Sequence, residues 1–246
     1  MFLVGIATLL LAQAWLALRS GNRLALTAFV LIIVYWHATT LLTAPIFELA
    51  RPGSLERTLV SWTIAICVED FARTWFVARS AQKRIAVVTA SLAFAMIVSL
   101  IETSDQMFGL MQAAAYQAFE AQANAQEGGG STFSSYADAL AVLTLCALKP
   151  FGHFALCIGL YYAWRLRSII LYTALVAAHL GFDLAIGWLP DYDPSAVTLM
   201  SLAIDVPFTA FLCISAYWIR LAARRREDGR PDGADSAVEP ALPALD

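Results

Sequence analysis

Seven stretches of this chain are apolar for long enough to cross a lipid bilayer as helices, and that count constrains the fold before any single residue does. A hydrocarbon core takes roughly 17–25 residues of helix. The stretches fall at about 2–18, 24–47, 58–78, 85–101, 136–164, 168–189 and 196–219. Inside lipid every backbone N–H and C=O must be satisfied within its own segment, which leaves helices as the fitting form. The expectation is an all-α polytopic membrane protein, a seven-transmembrane-helix bundle over 1–226 with the lipid bilayer as its first partner. Composition agrees, with 60% hydrophobic and 14% charged residues and a mean hydropathy of +0.67.

The charges then orient the bundle. Arg19 and Arg23 follow the first stretch, Arg79, Lys83 and Arg84 the third, Arg165 and Arg167 the fifth, and Arg224, Arg225 and Arg226 the seventh. Alternate connections carry Glu102, Asp105, Glu120 and Glu127, or Asp191 and Asp193, with no basic residue. Arg51 and Arg57 lie on that second side but are balanced by Glu48 and Glu56. The positive-inside rule gives the N-terminus outside and the C-terminus cytoplasmic, in a bacterial-type plasma (inner) membrane. Ala12-Gln13-Ala14 resembles a signal-peptidase site, yet no basic residue precedes the apolar run. A retained first helix is the better reading.

Outside the spans, about 103–130 forms the one large insertion. Met107, Leu110, Met111, Ala114 and Phe119 recur at helical spacing, which predicts an amphipathic helix on the outer surface, ended by Gly128-Gly129-Gly130. The tail 227–246 is rich in Pro, Gly, Ala and Asp and is expected to be a disordered cytoplasmic segment. Cys67, Cys146, Cys157 and Cys213 sit singly in apolar segments and read as small hydrophobes. No nucleic-acid signature, phosphate loop or internal repeat is visible. Ser91, Ala95 and Ser99 make a small-residue stripe suited to close helix packing.

Six ionisable residues interrupt the apolar stretches: Glu69, Asp70 and Arg73, then His153, then His179 and Asp183. A charged group at bilayer depth costs about 2.5–3.5 kcal/mol on insertion scales, so the six are expected to meet. Glu69 and Arg73 are four apart and can pair on one helix face; His179 and Asp183 stand in the same relation. Counted from the cytoplasmic ends at 1.5 Å per residue, Glu69 lies at roughly 14 Å, and His153 and His179 at roughly 16–17 Å. Three helices of alternating direction therefore bring polar groups to one level.

A carboxylate with imidazoles in a dry cavity can activate water. The carboxylate takes its proton, and the histidines bind a metal or stabilise an oxyanion. Each residue also has a structural reading: an intramembrane histidine often bonds helix to helix, and Glu69–Arg73 alone could be a structural ion pair. Agreement in depth favours function for the set. Lys149 shares a face with His153, and Pro150 between them frees a backbone carbonyl that needs a partner. His37 has no carboxylate at helical spacing and reads as structural. Asp205, before Val206-Pro207, either lines the cavity or satisfies backbone around the proline.

The series Glu69-Asp70-x-x-Arg73, His153, then His179-x-x-x-Asp183 resembles the motifs of the type II CAAX endopeptidase superfamily. That superfamily includes PrsW-like and YhfC-like membrane proteases and the Aph subunit of γ-secretase. The resemblance covers the third to seventh stretches. It implies Glu69 as general base on water, with Asp70 and Arg73 shaping its environment. It implies His153 and His179 as oxyanion stabilisers or ligands of one divalent metal such as Zn, and Asp183 as the final acidic residue of the last motif. Asp70 stands where a second glutamate is usual, and two residues rather than three precede the arginine. Lys149 takes the place of a phenylalanine, which weakens the case for prenylated substrates. The function expected is an intramembrane endopeptidase cleaving a membrane-associated peptide or protein substrate. The alternative is a non-catalytic Aph-like scaffold bound to other membrane subunits. A proton-coupled transporter would show inverted repeats with interrupted helices, and none is seen.

Overall fold

The computed structural model describes residues 2–49, 55–123, 136–188 and 194–228. Those residues form seven helices and no strand: α1 (Phe2–Arg19), α2 (Asn22–Leu49), α3 (Leu55–Gln82), α4 (Val87–Ala123), α5 (Tyr136–Arg165), α6 (Ile169–Trp188) and α7 (Pro194–Asp228). The all-helical expectation holds. Four helices contain segments long and apolar enough to cross a membrane: Asn22–Pro45, Val87–Asp105, Leu140–Arg165 and Met200–Arg226. The apolar parts of α1 (Val4–Arg19) and α6 (Ile169–Ala185) are shorter. In α3, Glu69, Asp70 and Arg73 at mid-helix lower its apolarity. No segment of α3 among the described residues is long and apolar enough to cross a membrane.

The insertion differs from expectation. Over 103–123 it is the direct continuation of α4, a helix of 37 residues, about 55 Å long at 1.5 Å per residue. Glu102-Thr103-Ser104-Asp105-Gln106 contains neither Gly nor Pro, so nothing there stops the helix. The change in polarity marks an end of apolar sequence, not an end of helix. Residues 124–130 and the tail from 229 lie outside the described residues.

Tight connections join α1 to α2, α3 to α4 and α5 to α6. Ile85 N–H bonds Ser80 C=O at 3.0 Å and Ser168 N–H bonds Ala163 C=O at 3.1 Å. These are six-to-one closures that satisfy the last carbonyls of α3 and α5. Arg84 (φ 61°) and Arg167 (φ 54°) occupy the left-handed position where glycine is usual.

Helix α5 is the centre of the bundle, packing against α1, α3, α4, α6 and α7. Its Ala155, Cys157, Leu160 and Ala163 are buried with Phe76 and Val77 of α3, Phe94 of α4 and Leu212 of α7. The stripe on α4 behaves as expected, with Ser91, Ala95 and Ser99 fully buried. The face turned away from this core carries Phe29, Val30 and Trp36 of α2 and Phe211, Ile214 and Trp218 of α7, all exposed. Exposed apolar faces of this extent are what lipid contact requires.

Pro150 sits inside α5 and cannot donate to the carbonyl four residues back. That carbonyl, of Cys146, accepts from Gln13 Nε2 at 3.4 Å. Gln13 also reaches Thr103 Oγ1 at 3.4 Å and is buried. Gln13 is thus a packed part of the bundle, bonded to both α4 and α5.

Candidate functional site

The six ionisable residues meet, and Glu102 and Lys149 join them. Arg73, fully buried on α3, is the hub. Its Nη2 donates to Glu69 Oε1 one turn back and lies 3.3 Å from His153 Nδ1 of α5. Its Nη1 lies 3.4 Å from Asp70 Oδ1, a charge contact without hydrogen-bond alignment. The Phe94 ring of α4 closes over the guanidinium, 5.9 Å from Cζ to ring centroid. A buried arginine among two carboxylates is the pairing that low dielectric demands.

Asp70 serves a different partner than expected. Both its oxygens face His179 Nδ1, at 3.1 and 3.2 Å. Its backbone carbonyl accepts from Thr74 Oγ1 at 2.7 Å and from Tyr172 OH at 3.4 Å. Asp70 is fully buried and His179 nearly so. A carboxylate on Nδ1 fixes the ring and makes that nitrogen the N–H donor. His179 Nε2 is then the nitrogen left over, 3.7 Å from Asp183 Oδ2, which is too long for a hydrogen bond.

His153 is arranged the other way. A guanidinium only donates, so the Nδ1 beside Arg73 is an acceptor. Nε2–H then donates to Glu102 Oε1, at 3.2 Å. Both ring nitrogens are occupied by protein. The other oxygen of Glu102 accepts from Lys149 Nζ at 2.9 Å. Lys149 and His153, one turn apart on α5, therefore clamp the two oxygens of one α4 carboxylate.

Glu102 is the residue that the sequence reading missed, because it falls just past an apolar stretch. A signal was present. Three residues beyond Ser99, it extends the Ser91-Ala95-Ser99 face by one helical step, and Lys149 inside a span needed an acidic partner.

A cavity of about 220 Å³ opens beside this network. Glu69, Glu102, Lys149, His153, His179 and Asp183 line its polar side. Leu156, Phe182, Phe208 and Leu212 form much of the apolar wall, with the Phe182 and Phe208 rings stacked at 4.2 Å. Asp205 also lines it and accepts from Thr209 Oγ1 at 3.2 Å, so of its two readings the cavity-lining one holds. At about 30 Å³ of liquid volume per molecule, the space suits several waters. His37 does not line it.

Zinc does not fit the donor set. Among the described residues no group of three or more His, Cys, Asp or Glu is arranged to hold a metal ion. The reason is geometric: His153 has no free ring nitrogen, and the Nδ1 of His179 belongs to Asp70. The one remaining imidazole nitrogen is not joined by cavity carboxylates in a metal-holding arrangement, and a zinc site takes three protein ligands or four.

Comparison with known protein families, curated proteins and solved structures finds no match, so the geometry itself carries the functional reading.

Proposed function

We propose that this chain is an intramembrane endopeptidase that hydrolyses a peptide bond of a membrane-associated substrate. The observation that carries the reading is the cavity of about 220 Å³ bordered by Glu69, His179 and Asp183, with Asp70 fixing the His179 ring from behind. Arg73 holds Glu69 through Oε1, which leaves Oε2 as the acceptor for a water proton. The water oxygen attacks the substrate carbonyl carbon as Glu69 takes the proton. The resulting oxyanion is stabilised by the N–H of a protonated His179 at Nε2. Breakdown of the tetrahedral intermediate cleaves the C–N bond, and Glu69 returns its proton to the leaving amine. General acid–base catalysis contributes about 10²–10⁴ in rate, and an oxyanion donor about 10²–10³.

In this scheme His153 is a positioning residue that ties Arg73 to Glu102, and no metal takes part. The order of motifs supports kinship with the PrsW-like and YhfC-like proteases. The pattern of basic connections supports seven crossings, an outer N-terminus and a cytoplasmic C-terminus in a bacterial-type plasma membrane.

One observation favours the scaffold alternative, an Aph-like subunit in a larger membrane complex. The chain Lys149–Glu102–His153–Arg73 links α3, α4 and α5 contact by contact and would hold helices together without chemistry. Glu69→Gln separates the two. In reconstituted vesicles it is expected to abolish cleavage while leaving folding intact, and uncut substrates should accumulate in a membrane-proteome comparison. Loss of partner association with no change in any cleavage product would favour the scaffold.

A further inference from the structure

A second cavity, of about 230 Å³, lies between α2, α3 and α4. It shares with the first cavity the residues Glu69 and Glu102 and no other. The two carboxylates therefore form a common wall. Each is held by side chains that do not line the second cavity: Glu69 by Arg73, and Glu102 by Lys149 and His153. On the other side the second cavity reaches Asp105, which is exposed. Thr39 Oγ1, also in its lining, is buried with no hydrogen-bond partner in the protein.

We propose that this second cavity is a water passage running from the Asp105 end of α4 to Glu69, with the Glu69–Glu102 pair as its inner constriction. A buried hydroxyl without a protein partner is normally satisfied by ordered water. The space is large enough for a short file of them, at about 30 Å³ each in the liquid. Three carboxylates along the lining, Glu69, Glu102 and Asp105, make it a poor place for an acyl chain. The passage also meets a need of the chemistry. Each cleavage consumes one water, and the hydrocarbon around the bundle supplies none. The use made of the water rests on the hydrolase reading; the presence of the water does not.

Hydroxyl-radical footprinting of the full chain in lipid vesicles reads water beside individual side chains. Tyr35, partly buried, lines the second cavity, whereas Phe71 and Phe211 are exposed on the outside of the bundle. Normalised for intrinsic reactivity, Tyr35 should be modified severalfold faster than Phe71 and Phe211. Ala65→Leu, which adds bulk to the α3 wall, should lower modification at Tyr35 and slow cleavage together. Equal modification at all three positions overturns the proposal. So does an Ala65→Leu protein in which Tyr35 becomes protected while cleavage keeps its full rate. Fast modification of Tyr35 in a protein that cleaves nothing contradicts the hydrolase reading alone and supports the passage. If Ala65→Leu does not fold, the footprint of the unmodified chain decides.

Discussion

His153 and His179 border the same cavity, each beside a carboxylate, yet they are wired in opposite senses. His153 accepts from Arg73 at Nδ1 and donates to Glu102 at Nε2, so its valences are spent. His179 spends Nδ1 on Asp70 and keeps Nε2 beside the cavity. The difference comes from the neighbours rather than from the histidines. A guanidinium imposes an acceptor on the ring it meets, and a carboxylate imposes a donor. The two histidines thus differ in what they leave open: both ring nitrogens of His153 meet protein groups, and only Nδ1 of His179 does so at hydrogen-bond distance.

Substitutions break or sharpen this contrast in a definite order. His179→Gln should cost about 10²–10⁴ in kcat/KM, the range of a lost acid–base group, with Glu69→Gln comparable. Both are read by cleavage of a membrane substrate at matched folded protein. Asp70→Asn removes the charge that fixes His179 and should cost about 10², at the low end of the same range. His153→Gln should leave cleavage within about tenfold of the unmodified rate, since its partner groups are structural, while lowering stability by about 1–3 kcal/mol for the buried donors and acceptors left unmatched. A loss of activity at His153 as large as that at His179 would erase the distinction. Asp183→Asn should be the mildest, because at 3.7 Å it makes no hydrogen bond to lose.

Arg73 tests the frame on which both histidines depend. Arg73→Met leaves Asp70 and Glu69 without their buried countercharge, and removing one member of such a network costs about 3–5 kcal/mol. Unfolding followed in detergent should show that loss. An Arg73→Met protein as stable as the unmodified chain would mean that the carboxylates find water or another cation.

The sequence made some of this legible and hid the rest for physical reasons. Apolar length gave the helices, and the i, i+4 spacing of Glu69 with Arg73 gave a pair that forms. The cost of charge in apolar sequence pointed to a meeting of Glu69, Asp70, Arg73, His153, His179 and Asp183, and the structure brings them together. Which carboxylate meets which histidine depends on helix rotation and neighbour choice, and a helix's own spacing is silent about both. Asp70, about 100° round from Glu69 on α3, turned out to face α6. Glu102 went unnoticed because the end of an apolar run was taken for the end of a membrane helix, and α4 does not stop there. Gln13 looked like part of a cleavage signal. Its role, as the donor to the carbonyl that Pro150 frees, needed three helices in place before it could be seen.

Nitrogen-15 spectroscopy of histidine-labelled protein in lipid tests the central contrast most directly, and it needs no substrate. Resonances assigned with His153→Gln and His179→Gln should show Nδ1 of His153 without a proton and Nδ1 of His179 carrying one. Protonated Nδ1 on His153, or bare Nδ1 on His179, would contradict the account.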